Sequence, residues 1–101
     1  MAAAEADGPD YWAVHGLSHG AVLNLRKGPT TQFPVLTRIP AGYAHLENLG
    51  CSPEFTMEEW SRFIERERDL AVSLRWCRVR YEKQTGWVKG MYLQEGRPPE
   101  E

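Results

Sequence analysis

Apolar and polar positions alternate in short bursts through the first half of the chain. Tyr11 to Val14 is an apolar-rich start that reads as a first strand, followed by the loop "HGLSHGA". In "VLNLR" the alternation is clean: Leu23 and Leu25 share one face, Asn24 and Arg26 the other. "KGPTTQFP" then supplies turn chemistry, with Gly28 free to take positive φ, Pro29 fixing its own, and Thr30 and Thr31 able to bond nearby backbone. "VLTRI" reads as the next strand, "PAG" as the next turn, and "YAHLENLG" as another strand ended by Gly50. Turn signals at intervals of about eight to twelve residues predict a small all-β barrel or sandwich.

The period then changes. "FTMEEWSRFIERERDLAVSLR" carries a helical pattern, and its start is well marked. Thr56 and Glu59 form a T-x-x-E capping box, and Phe55 and Trp60 supply the hydrophobic staple. Trp60, Phe63, Ile64, Leu70 and Leu74 recur near helical spacing as one apolar stripe. Trp60 is the expected anchor of the helix on the barrel. Glu67 interrupts the stripe, so a break into two short helices is expected near Arg66–Asp69. After this helical insertion, about residues 56–74, strand alternation returns in "WCRVRYE". There Trp76, Arg78 and Arg80 share one face, and Cys77, Val79 and Tyr81 the other. The turn "KQTG", the strand "GWV" and the closing "KGMYLQE" complete the pattern. Polar, flexible residues 1–10 read as a disordered lead-in and Pro-rich residues 96–101 as a disordered tail, which leaves one folded domain over 11–95.

Composition narrows the function. A chain of 101 residues holds one domain with one modest core. Its formal charge of −2 lacks the basic excess that favours nucleic acid. Its longest apolar runs, such as "LAVSL", are too short to cross a bilayer, so neither nucleic acid nor membrane insertion is expected, and the domain is expected to be a monomer. No apolar segment near the N-terminus reads as a signal peptide. The two cysteines, Cys51 and Cys77, flank the helical insertion. An even pair so placed favours a disulfide in an oxidising compartment, against the alternative of two reduced, buried thiols.

The segments "LNLRKGPTTQFPVLTRIPAG" and "WCRVRYEKQTGWVKGMYL" together resemble the bacterial SH3-like (SH3b) domain family. The matching positions are Asn24, Leu25, Arg26, Gly28 and Pro29, then Pro34 and Val35, then Pro40 and Gly42. Trp76 and Val79, Gly86, Trp87 and Val88, and finally Tyr92 and Leu93 continue the order. The resemblance implies an SH3-like, partly open barrel of about five strands, with the helical insertion before the Trp76–Tyr81 strand. Leu23, Leu25, Val35, Ile39, Val79 and Val88 would fill its interior and Trp87 would seal one end. The frame "NLGC…EW…RWCRV" looks like an exported subgroup, which implies a periplasmic or extracellular binding module of the cell envelope. By the same resemblance, the ligand class is cell-wall peptide or glycan, and no cofactor is implied.

Residue chemistry offers no competing enzyme. His15 and His19 stand at the spacing of a helical metal pair, but Gly16 and Gly20 make helix there unfavourable, and no acid or oxyanion-hole motif accompanies Ser18. The carboxylates Glu58 and Glu59 suit a helix N-terminus, and Glu65, Glu67 and Asp69 alternate with arginines as a solvated face. No catalytic or metal-binding set is assigned. The surplus of aromatics does point somewhere. Tyr11, Tyr43, Tyr81 and Tyr92 are candidates for a ligand groove, because a tyrosine offers an apolar face and a wet hydroxyl. Arg26 and Arg80 are candidates to grip a carboxylate. The working site is therefore Arg26, Tyr43, Tyr81 and Tyr92. The alternative is a protein partner docked on the barrel edge or the helical insertion.

Overall fold

The computed structural model describes residues 8–54 and 56–99. Seven strands form one antiparallel sheet that curls into a half-barrel: β1 (Tyr11–Val14), β2 (Val22–Arg26), β3 (Val35–Pro40), β4 (Leu46–Ser52), β5 (Trp76–Tyr81), β6 (Gln84–Lys89) and β7 (Leu93–Glu95). Their spatial order is β3-β2-β6-β5-β4-β1-β7. Two strands are very short, β1 with four residues and β7 with three, and they pair with each other at the sheet's end. They lift the count above the five expected. Hydrogen bonds reach slightly beyond this span: Asn48 Nδ2 donates to the Pro9 carbonyl and the Arg97 amide to the Ala44 carbonyl. The expected lead-in over residues 1–7 and the last two tail residues lie outside the described residues.

The alternation read in the sequence sets the core. Leu23, Leu25, Ile39, Val79 and Val88 are buried, joined by Trp12, Val14, Leu46 and Leu93. Val35 is only half-buried. Trp87 does not seal the barrel. It stands on the outer face, directly across from Arg78 on β5 and Arg26 on β2, because Gly86 and Val88 on either side take the inward positions.

A bulge in β4 places the cysteines. Asn48 opposes Val79 and Cys51 opposes Cys77, so three steps along β4 match two along β5. Gly50 takes φ +112° there, and its amide donates to the Asn48 side-chain oxygen at 2.9 Å. A one-residue slip exchanges inner and outer faces. The bulge thus turns Cys51 inward, where it forms a disulfide with Cys77. Ser52 and Trp76 pair next, so the insertion is stapled where it leaves the sheet.

The insertion contains two helices, α1 (Met57–Arg62) and α2 (Glu65–Leu74). Thr56 and Glu59 close the expected capping box at 2.9 and 3.0 Å, while the staple residue Phe55 lies outside the described residues. The break falls at Phe63–Ile64, earlier than Arg66–Asp69. Phe63 is extended (ψ 137°), and Glu67 folds its carboxylate back to accept from the Ile64 amide at 3.1 Å, starting the second helix. Glu67 therefore acts at a helix start and not as a break. Trp60 meets Phe63 edge-on at 5.9 Å and lies under the Arg68 guanidinium at 5.5 Å. Helix α2 packs on the 3-10 turn Gly90–Tyr92, which seats the insertion against the barrel.

Candidate functional site

Two concavities divide the tyrosines and arginines that the sequence singles out. The larger, about 230 Å³, is lined by Val22 to Asn24 and Arg26 of β2, by Trp76 of β5 and Lys89 of β6, and by Leu17, Thr31 and Tyr92. Arg26, Asn24 and Thr31 line one side, Trp76 and Lys89 the other. Strand register explains the grouping. Trp76 and Lys89 are direct cross-strand partners, and Arg26 opposes Trp87 two residues along from Lys89. Directly opposed residues of an antiparallel pair point to the same side. Tyr92 arrives from the 3-10 turn that follows β6, against which α2 packs. Arg26 is held in place: its Nη1 donates to the carbonyls of Thr31 (3.1 Å) and Phe33 (2.9 Å). The turn read as "KGPTTQFP" therefore orients a guanidinium whose other edge remains open to a planar anion.

The second concavity, about 160 Å³, holds Tyr11, Tyr43, His45, Glu47, Arg80 and Glu82. Tyr81 meets Tyr43 edge-on with centroids 4.9 Å apart, and Tyr43 meets His45 the same way at 5.4 Å. Burial raises the Tyr43 pKa above 10.0, helped by the charge of Glu82 and by Tyr81. Arg80 is engaged here, donating to Glu47 at 2.6 Å. His45 Nδ1–H donates to the Arg97 carbonyl at 2.9 Å, which fixes its tautomer.

The four expected groove residues thus do not form one site. Arg26 and Tyr92 meet in the larger groove, whereas Tyr43 and Tyr81 pack on each other elsewhere. Trp76 and Lys89 complete the larger groove and were not among the residues expected there. The alternation of "WCRVRYE" puts Trp76 on one face with Arg78 and Arg80, where it reads as barrel framework; its meeting with Lys89 depends on the β5–β6 register. Among the described residues, no group of three or more His, Cys, Asp or Glu is arranged to hold a metal ion. No helix among the described residues is long and apolar enough to cross a membrane.

This frame of strands matches a known family. The family model of the bacterial SH3 domain matches residues 21–94, and the chain belongs to that family. No curated protein and no solved structure matches the chain. The bacterial SH3 domain is usually a binding module, and the disulfide fits an oxidising compartment.

Proposed function

We propose that the chain is a non-catalytic binding module of the cell envelope that takes part of a cell-wall peptide or glycan into the groove between Arg26 and Tyr92. The groove itself carries the reading: a guanidinium fixed by two backbone carbonyls shares the cavity with Lys89, Trp76 and Tyr92. Its size is below the roughly 300 Å³ at which sites begin to enclose whole small molecules, so it suits one residue of a longer polymer. Each polar group there is a binder, and the described groove holds no nucleophile paired with a base. Cosedimentation with purified cell-wall sacculi tests this. The parent protein should pellet with the sacculi, and Arg26→Gln and Lys89→Gln should stay in solution while keeping the parent's near-ultraviolet circular dichroism. Equal pelleting of all three proteins would remove the groove from the account.

A second reading has its own observation. The insertion exposes Met57, Ile64 and Leu74, the last at 68 %. A partner protein seated on those apolar side chains would be lost on Ile64→Glu with wall binding unchanged.

A further inference from the structure

The acidic character of the chain conceals a separation of charge. Strands β3, β2, β6 and β5 contain no Asp or Glu, yet they carry Arg26, Arg38, Arg78, Arg80 and Lys89. Among the described residues the carboxylates lie elsewhere: just before β1 (Asp10), on β4 and β7 (Glu47, Glu95), in and just before the insertion's helices (Glu54, Glu58, Glu59, Glu65, Glu67, Asp69), and at the β5–β6 turn (Glu82). Register places the cations on one surface. Arg38 opposes Asn24, Arg26 opposes Trp87, Trp87 opposes Arg78, and Lys89 opposes Trp76. All these positions alternate with buried residues such as Leu25, Val79 and Val88, so they share the outer side of the half-barrel. Arg80, at the far end of the strip, is neutralised by Glu47. Arg38, Arg78 and Lys89 form no ion pair among the described residues. A row of cations without a compensating acid is poorly explained by folding stability, since like charges on one face repel. Two tryptophans set between them add flat apolar surface on which the body of a ligand can lie.

We propose that this outer face, from the Arg26–Lys89 groove to Arg78 and Arg38, is the docking surface for a peptide carrying several carboxylates. One carboxylate seats in the groove on Arg26 and Lys89, and the following ones run along the tryptophan–cation strip toward Arg78. The proposal rests on the reading of the groove as a binding site and adds to it the charge and length of the ligand. A carboxylate suits Arg26 because two of its donor positions are already committed to Thr31 and Phe33, leaving one planar edge for a two-oxygen acceptor. The groove's lining contains no acid to repel it.

The test titrates the full oxidised chain with a short oligoglutamate, with an oligoglutamine of equal length, and with an oligothymidylate, following backbone amide shifts at low and at physiological salt. Oligoglutamate should shift Arg26, Trp76, Arg78, Trp87 and Lys89 while oligoglutamine leaves them unmoved. Its affinity should fall as salt shortens the reach of the charges, to about 8 Å at physiological strength. Arg78→Gln lies outside the groove and should weaken oligoglutamate about two- to fivefold, whereas Arg66→Gln in the insertion should not change it. Equal binding of oligoglutamine, or indifference to Arg78→Gln, overturns the proposal. Tighter binding of oligothymidylate overturns the choice of peptide in favour of a phosphate polymer. If neutral cell-wall fragments shift Trp76 and Tyr92 while oligoglutamate does nothing, the charged strip fails and the groove survives. Silence with every ligand removes both.

Discussion

Gly86→Ala tests the joint on which the groove depends. Strands β2 and β6 are joined at a single register pair, Arg26 with Trp87, and Gly86 sits beside it. A Cβ at position 86 would lie 2.7 Å from the Arg26 carbonyl oxygen and 2.7 Å from Leu25 Cγ. Neither obstacle is a loose side-chain end. One is backbone, and the other belongs to a side chain with 0 % exposure. Overpacking of this kind costs about 1–3 kcal/mol, and a backbone obstacle puts the cost near the top of that range. Alanine gives back roughly 0.4–1 kcal/mol by narrowing the unfolded ensemble. A net loss of about 2 kcal/mol lowers Tm by roughly 8–16 °C in a domain of this size. Thermal melts followed by near-ultraviolet circular dichroism, which reports the tryptophans, measure it directly. Arg26 should also lose its place in the groove, so wall binding should fall further than the loss of folded protein explains. Gly42→Ala is the control: nothing lies within 4 Å of its Cβ, but its φ of +87° taxes any side chain, at about 1–2 kcal/mol. A Gly86→Ala protein that melts within about 3 °C of the parent would show that β2 and β6 do not meet as described.

Other predictions follow from separate parts of the fold. Cys51 and Cys77 are 26 residues apart, and closing that loop stabilises the fold by about 3.5 kcal/mol in the chain-entropy account; urea unfolding of the oxidised protein and the Cys51→Ser/Cys77→Ser variant should differ by that order, and equal midpoints would deny the crosslink its role. Thr56→Ala removes the capping box and should cost about 1 kcal/mol locally, seen as faster amide exchange in Met57–Arg62 while the barrel amides hold. Tyr43 has its pKa raised above 10.0 in the folded state, so the unfolded chain gives up that proton first. Its contribution is complete below pH 10 and drains away as pH rises through the folded pKa; Tyr43→Phe should therefore flatten the alkaline fall in stability, and an unchanged slope would contradict the partial desolvation and the nearby Glu82 charge that raise it.

Much of the barrel is legible because its signals are local. "VLNLR" and "WCRVRYE" declare their inner and outer faces by alternation, and Thr56 with Glu59 announces a helix start by chemistry within one turn. The cysteines flank a segment whose ends must meet. The site is less legible because it is assembled by register. Arg26 and Arg80 look equivalent along their strands, yet β4 brings Glu47 opposite Arg80 while β6 brings only Trp87 opposite Arg26. Four tyrosines look interchangeable as groove residues. Tyr43 and Tyr81 instead pack against each other, and Tyr92 reaches the groove from a 3-10 turn that no hydrophobic period marks. The helix break moved from Arg66–Asp69 to Phe63–Ile64 for a related reason: Glu67 spends its carboxylate on a backbone amide three residues earlier, a choice that charge pattern does not reveal.

The most direct test of the binding account is an amide-shift titration of the labelled, oxidised chain with soluble cell-wall fragments. The account predicts shifts clustered at Arg26, Trp76, Lys89 and Tyr92, absent in Lys89→Gln. No shifts with millimolar fragments, or shifts confined to Met57–Leu74, would contradict it.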